Sequence, residues 1–244
     1  MADLATKKVL FAGLGRFSSE PLLKLVRLGL ASQGSLYLID GDRVEERNLE
    51  GTLYLPRHVG RFKTEAMMDL IQEINPKTAE NTRIASKMIT LPDVEKISSS
   101  ARELDLVVIG LDDHEIADSL ADTLYPLCPI LSGYFGEHCN NFMVGYSIAQ
   151  VMPPLSLTLS RQKMETIHAA VASADDLMAA QSFIFKLILR LLSRGDPKAE
   201  AILHLDPQLP LFYGCNRNDP FLLDSKDFPR ECQYIVVPLG WRPR

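Results

Sequence analysis

Apolar residues in this chain come in short runs that alternate with longer stretches of helical spacing. Lys8–Ala12 (KVLFA) is a short apolar run that stops at Gly13, whereas Glu20–Leu30 carries Leu22, Leu23, Leu25, Val26, Leu28 and Leu30 at helical intervals. The pair predicts a strand followed by a helix. Leu36–Ile39 predicts a second strand, Thr64–Ile74 a second helix closed by Asn75-Pro76, and Leu104–Ile109 a strand apolar enough to be buried on both faces. The order βαβαβ predicts an α/β fold of Rossmann type, with a doubly wound and mostly parallel sheet. Pro129–Leu131 predicts a further strand. Asn141–Gln150 (NFMVGYSIAQ) predicts one from a more antiparallel part, so that antiparallel strands extend the sheet in the C-terminal half. Past a break at Pro153-Pro154, Leu177–Arg194 predicts a long, mostly buried helix stopped by Gly195 and Pro197. Ala201–Leu205 predicts a strand and Gln233–Pro238 a last edge strand. No internal repeat or low-complexity segment interrupts the pattern, so one domain is expected over residues 1–244, with halves 1–150 and 151–244.

Composition narrows the function classes. The chain has 244 residues, of which 46% are hydrophobic, enough for a core of its own. A formal net charge of −5 without a basic run argues against nucleic acid as a partner, because that binding needs Lys and Arg clustered against phosphates. The N-terminal residues have no signal-peptide core, and the longest apolar run, Leu177–Leu192, is broken by Gln181, Lys186 and Arg190. The expectation is a soluble, cytoplasmic protein with no membrane partner. The four cysteines, Cys128, Cys139, Cys215 and Cys232, form no Cys-x-x-Cys pair and are expected as reduced thiols.

The candidate chemistry lies at strand ends. Gly13-Leu14-Gly15 occupies the turn from the first strand to the first helix, where backbone N–H groups can approach a phosphate beside the positive end of the helix. A packing turn would need the same glycines, and the third glycine of a dinucleotide fingerprint is replaced by Ser18. Asp40 ends the second strand, where a carboxylate can accept from ribose hydroxyls. Two strand ends facing one crevice fit a nucleotide better than a turn. The charged stretch continues through Asp42, Glu45, Glu46, Arg47 and Asn48.

Further pieces follow in order: Asp42, Val44, Asn48-Leu49, Gly60-Arg61-Phe62-Lys63, Ile74-Asn75-Pro76, and Val107–Ile109 leading into Gly110-Leu111-Asp112-Asp113. This succession resembles the ThiF/MoeB/HesA family of adenylating enzymes related to the ubiquitin-activating enzymes, and it runs from residue 8 to about residue 145. The resemblance implies an ATP-dependent adenylyltransferase that activates a carboxylate as an acyl-adenylate and releases pyrophosphate. By the family's positions Gly13 and Gly15 cradle phosphates, Asp40 holds the ribose with Asp42 nearby, and Asn48 and Lys63 face the phosphates. Asp112 would bind magnesium; the run Asp112-Asp113-His114-Glu115 also reads as a capping box, so one of the two acids caps the following helix while the other binds the metal. ATP and Mg2+ are the expected cofactors. The acceptor is a carboxylate on a ubiquitin-like protein, a peptide or a small acid, and a homodimer or a related partner subunit is expected.

The departures shape the reading as well. Gly51-Thr52 stands where the family has Arg-Gln, which removes a phosphate-gripping cation, and Arg16 stands where another glycine is usual. Arg16 or Arg47 is expected to supply the lost charge, since a guanidinium is permanently charged and forked toward phosphate. Asn216–Pro220 looks like a zinc corner without its thiols, so no zinc is expected, and residues 151–177 hold no crossover cysteine. Cys139 has His138 beside it, but adjacent residues of an extended segment point to opposite sides, and His58, His114, His168 and His204 are scattered. Two alternatives stay open: a degenerate subunit that scaffolds an active partner, and an NAD-dependent oxidoreductase suggested by Gly13, Gly15 and Asp40.

Overall fold

Lys8–Ala12 forms β1, the middle of a parallel array whose side chains alternate between two cores. A computed structural model of the chain describes residues 3–135, 141–147, 174–193 and 234–238. After β1 come α1 (Ser19–Arg27), β2 (Ser35–Ile39), two short 3-10 turns at Glu46–Leu49 and Pro56–His58, α2 (Lys63–Ile74), α3 (Pro76–Glu80) and β3 (Thr82–Ala85). Then follow α4 (Leu91–Ser100), a 3-10 turn at Ala101–Glu103, β4 (Leu106–Ile109), α5 (His114–Leu124), β5 (Ile130–Phe135), β6 (Asn141–Ser147), α6 (Ala174–Leu192) and β7 (Tyr234–Pro238). The sheet order is β3-β2-β1-β4-β5-β6-β7. The first five of these strands are mutually parallel, β6 lies antiparallel to β5, and β7 lies antiparallel to β6.

The two-residue period of the strands sorts the core. Val9, Phe11, Leu36, Leu38, Leu106 and Val108 face α1, α2 and α6, where they meet Leu22, Val26, Met67, Ile71, Ile184 and Ile188. Leu10, Ala12, Val107, Ile109 and Ile130 face the other way, against Val94 of α4 and Ala117, Leu120 and Leu124 of α5. Each fully buried leucine here stabilises the fold by roughly 1.5–3 kcal/mol relative to exposure. Among the described residues no helix is long and apolar enough to cross a membrane.

Several expectations change at their edges. The helix expected to reach Leu30 stops at Arg27, because Gly29 takes φ +88° and the Gly29 and Leu30 N–H groups fold back onto the Val26 and Leu25 carbonyls at 3.0 Å each. That double bond closes the helix in a Schellman motif. The fifth parallel strand, β3, was absent from the expected βαβαβ order, and its two flanking helices α3 and α4 with it. Thr82-Arg83-Ile84-Ala85 is an edge strand with Arg83 and Ile84 exposed, so it shows no apolar alternation to read. β4 starts at Leu106 rather than Leu104, since the Leu104 N–H closes the preceding 3-10 turn on the Ala101 carbonyl at 3.0 Å. α2 starts one residue earlier than expected, at Lys63, and β5 runs on to Phe135. The strand expected at Ala201–Leu205, Cys139 with His138, Asn216–Pro220, and the histidines His168 and His204 lie outside the described residues.

What this architecture positions is a reversal of strand order. From β1 the chain crosses to β2 and β3 on one side, then returns to place β4 and β5 on the other, so the loops leaving β1 and β4 separate at their carboxyl ends. Gly13 and Gly110 stand at that point. The Gly13 N–H donates to the Ile39 carbonyl and the Gly110 N–H to the Ala12 carbonyl, both at 2.8 Å. A Cβ on Gly13, whose φ is +88°, would lie 2.2 Å from the Gly110 oxygen. Gly13→Ala should therefore lose roughly 2–5 kcal/mol of stability, combining left-handed strain with an overpacked backbone contact. Urea unfolding checks this: a midpoint that barely moves at unchanged slope would show that the strands can part at no expense.

Candidate functional site

The crevice at this reversal is a cavity of about 180 Å³. The loop after β1 lends Gly13 and Gly15, the end of β2 lends Asp40, Gly41 and Asp42, and the first turn of α2 lends Lys63. The loop after β3 adds Lys87, Met88 and Ile89, and the loop after β4 adds Gly110 through Asp113, with Ile116 of α5 behind. Of the residues singled out in the sequence, the fold thus brings Gly13, Gly15, Asp40, Asp42, Lys63, Asp112 and Asp113 around one space. Arg16, Arg47 and Asn48 are not part of its lining.

Asp40 is the hub of the main-chain geometry. It is 6% exposed, and its two carboxylate oxygens accept from the Leu14 N–H at 2.6 Å and the Asp42 N–H at 2.7 Å. One side chain therefore ties the turn after β1 to the turn after β2. Burial raises its pKa above the ordinary carboxylate value, and the nearby Lys63 ammonium opposes that rise. An ionised carboxylate offers about four acceptor sites, so two remain for hydroxyl donors of a ligand.

Lys63 is 7% exposed, and its Nζ lies 2.7 Å from Asp42 Oδ2 while its own N–H donates to the Asp42 carbonyl at 2.9 Å. An ammonium at the positive end of a helix is unfavourable without an anion, and Asp42 supplies one. Tyr54, which the sequence reading missed, holds the same loops from behind. Its hydroxyl donates to the Leu14 carbonyl at 2.9 Å, and burial raises its pKa well above the ordinary phenol value. Tyr54 gave no signal because it sits in an irregular segment, where an aromatic residue has no period to belong to.

The other predicted residues sort by their partners. Asp113, not Asp112, caps α5, accepting from the Ile116 N–H at 3.1 Å. Asp112 is left exposed at the end of β4. Asn48 closes its own turn by accepting from the Glu45 N–H at 2.9 Å. The Arg47 side chain is 78% exposed and paired with Glu45 at 2.6 Å. Arg16 lies across Gly51, where a Cβ would come within 2.8 Å of its Nε. His114 and Tyr134 pack ring on ring at 4.6 Å beside the β4 end, and Cys128 is buried with its thiol pushed up to about 11 by desolvation.

Lys87, Met88 and Ile89 were missed along with β3. Lys87 Nζ lies 2.6 Å from Asp93 Oδ1, and Asp93 also accepts from the Thr90 N–H and hydroxyl at 3.2 and 2.8 Å, which brings its pKa down to about 2. Thr90-Leu91-Pro92-Asp93, with an acid three residues after a threonine and a proline in the first turn, was the signal that could have found α4 and the loop before it.

The lining therefore carries four carboxylates and two ammonium groups, and each ammonium already has an acidic neighbour. Apolar atoms of Met88, Ile89, Leu111 and Ile116 make one wall. Such a site suits a flat apolar group that carries hydroxyl donors. Among the described residues no three His, Cys, Asp or Glu side chains cluster as a metal centre. A hard cation at Asp112 would thus have to take most of its oxygens from a ligand and water.

Fold and pocket together define a doubly wound α/β protein whose site lies at its topological switch point. The sequence model of the ThiF family matches residues 1–146, more than half of the 244 in the chain, and the protein belongs to that family. Ubiquitin-activating enzyme E1 1 of Candida albicans (strain WO-1) is 30% identical over 171 residues, covering 64% of this chain and 16% of that protein. The ATP-dependent ubiquitin transferase-like protein Cap2 of Enterobacter hormaechei subsp. hoffmannii is 28% identical over 119 residues, covering 49% of this chain and 19% of its own. The chain thus spans under a fifth of the length of these two relatives. Among solved structures, E. coli MccB with AMPCPP and MccA superposes with a TM-score of 0.60 at 16% identity, covering 78% of this chain and 57% of that one. PaaA gives 0.57 at 20% identity over 78% and 57%. At these identities the likeness is one of fold.

The segment between Tyr54 and Lys63 is fixed by a neutral histidine. His58 is 0% exposed, and its Nδ1 accepts from the Leu55 N–H at 3.1 Å. Burial, reinforced by Arg57, lowers its pKa below 6.5. The unfolded chain then binds the proton more readily than the folded one, so stability is full above the unfolded value and is lost as pH falls from about 6.5 through the lowered native value. Melting temperature against pH should fall in that window and flatten in His58→Gln; equal slopes in both proteins would remove His58 as the cause.

Proposed function

We propose that the chain binds ATP in the switch-point pocket and transfers the adenylyl group to a carboxylate, releasing pyrophosphate. The observation that carries this is the convergence of a glycine turn, a buried strand-end carboxylate, a buried lysine and a second strand-end carboxylate around one crevice. Membership of the ThiF family supports it, as do relatives named as a ubiquitin-activating enzyme and an ATP-dependent ubiquitin transferase-like protein, and a fold neighbour crystallised with AMPCPP.

In this reading Gly13 and Gly15 let phosphate oxygens approach the backbone, and the two open acceptor sites of Asp40 take the ribose hydroxyls. Met88, Ile89, Leu111 and Ile116 give the base an apolar wall to lie on. The acceptor carboxylate oxygen bonds to the α-phosphorus as the bond to the bridging β-oxygen breaks, and pyrophosphate leaves with that electron pair. Negative charge grows on the departing oxygens, where Lys63, released in part from Asp42, stabilises it. Asp112 fits Mg2+, a hard cation that would offset phosphate charge; one protein carboxylate plus phosphate and water oxygens suits it. Asn48 acts through its turn rather than by direct contact. The acceptor is the C-terminus of a ubiquitin-like protein, a peptide or a small acid. We further propose that the chain works as a single domain, as a homodimer or with a related subunit, in the cytoplasm.

A second reading, a degenerate subunit that scaffolds an active partner, is favoured by one observation: Lys63 and Lys87 both stand in ion pairs and Gly51 offers no cation. Exchange of labelled pyrophosphate into ATP, driven by a carboxylate acceptor, separates the two. The enzyme reading expects exchange, reduced about a hundredfold or more in Lys63→Met. ATP binding without exchange across a panel of acceptors would favour the scaffold, and NAD binding in place of ATP would revive the oxidoreductase.

A further inference from the structure

One buried amide on α6 reaches two loops that are far apart in sequence. Gln181 is 1% exposed, and its Nε2 donates to the Arg16 carbonyl at 2.9 Å and to the Gly51 carbonyl at 3.1 Å. A carboxamide nitrogen has two N–H donors, so both are matched by main-chain oxygens. One of those oxygens belongs to the residue that follows Gly15 of the pocket. The other belongs to the turn after Glu46–Leu49.

The Arg16 side chain crosses the same spot. A Cβ at Gly51 would lie 2.8 Å from Arg16 Nε, 3.2 Å from its Cδ and 2.9 Å from Leu177 Cδ2 of α6, so the guanidinium stem occupies the room that any side chain at position 51 would take. Arg16 Nη2 reaches the Arg47 carbonyl at the long limit of 3.5 Å. α6 is held to α1 independently, by Ile184, Leu187 and Ile188 in the core and by Lys24 Nζ donating to Ser182 Oγ at 3.3 Å. Attachment of the helix therefore does not require an amide at position 181, and what the amide adds is the orientation of the Arg16 peptide and of its seat.

We propose that Gln181 is a positioning residue for polyphosphate binding: by holding together the Gly51 turn and the Arg16 peptide, which follows Gly15 of the pocket, it sets where the Arg16 guanidinium stands, outside the lining in this structure but next to the glycine turn that phosphates would approach. This rests on the nucleotide reading above and adds a residue from outside the segment that the family pattern matches. Its consequence is selective: Gln181 acts on the phosphates and leaves the nucleoside, held at Asp40, untouched.

Calorimetry on the full chain with AMPCPP and with adenosine tests this, alongside melting temperatures. Gln181→Met keeps the length of the side chain and removes both donors, so AMPCPP affinity should drop about tenfold while adenosine affinity stays within about twofold. Arg16→Met should give the same ratio, and the double variant should lose little more than either single one, because the two act through one contact. Should Gln181→Met fail to fold, Gly51→Ala, which puts a methyl group into the arginine's seat, is read by the same ratio. Equal weakening of both ligands, or of neither, in a folded variant overturns the role of Gln181 and leaves the nucleotide site standing. A wild-type chain that binds adenosine and AMPCPP alike, or neither, overturns the site reading and this inference with it.

Discussion

The arrangement depends on the missing side chain at Gly13. With a Cβ there 2.2 Å from the Gly110 oxygen, the carboxyl ends of β1 and β4 could not keep their hydrogen-bond register as they separate. Because they do keep it, the loops after both strands start from fixed points and diverge around a crevice. The same close approach lets the Gly110 N–H reach the Ala12 carbonyl and leaves so little room at Gly110 that a Cβ there would lie 3.0 Å from the Phe17 ring. A site built this way is positioned by strands, which are far stiffer than the loops that line it.

Electrostatics then decides what such a crevice can hold. Four acidic side chains outnumber the two lysines, and Asp42 and Asp93 each hold one ammonium at close range. An anion entering this space gains little from Coulomb attraction until a lysine loosens its hold on its partner or further positive charge arrives. That is an argument for a ligand that brings its own cation to Asp112, and for a cation outside the immediate lining. Arg16 is better placed for this than Arg47, whose side chain is mostly in solvent and closed on Glu45.

How much of this was legible follows from how each element is stabilised. β1, β2, β4, α1 and α2 are core elements whose burial demands apolar residues at a fixed period, so their order and the glycine turn after β1 stood out. β3 and α4 are peripheral; Arg83, Ile84 and the serines at the end of α4 answer to no core, and the side of the pocket they form went unseen. The charged residues just past β2 and β4 and at the start of α2, Asp40, Asp112 and Lys63, stood out because charge at such points is unusual. Which acid caps α5 did not, since the capping-box spacing to Glu115 points to Asp112 whereas the helix begins at His114 and takes Asp113 as its cap. Tyr54 and Gln181 were invisible for another reason: each works through hydrogen bonds to main-chain carbonyls, which leave no pattern in the partner's side chains.

Those carbonyl contacts also bear on how the two halves of the chain depend on each other. A helix that packs on a sheet through aliphatic side chains alone can slide by a fraction of an ångström with small loss, because dispersion contacts are shallow and numerous. Hydrogen bonds are directional, and leaving a buried N–H unmatched costs about 1–3 kcal/mol. Gln181, with two carbonyls to satisfy, converts the soft register of α6 against α1 into a defined one. The loop after β1 is thus gripped three times: by Asp40 at Leu14, by Tyr54 at the Leu14 carbonyl, and by Gln181 at Arg16. Two of these grips come from the strand array and its connecting loop, and one comes from α6. Displacing α6 would release only the third, leaving the glycine turn in place while freeing the Arg16 peptide beyond it, so under the function proposed above the nucleoside and phosphate parts of the site are held by separate contacts.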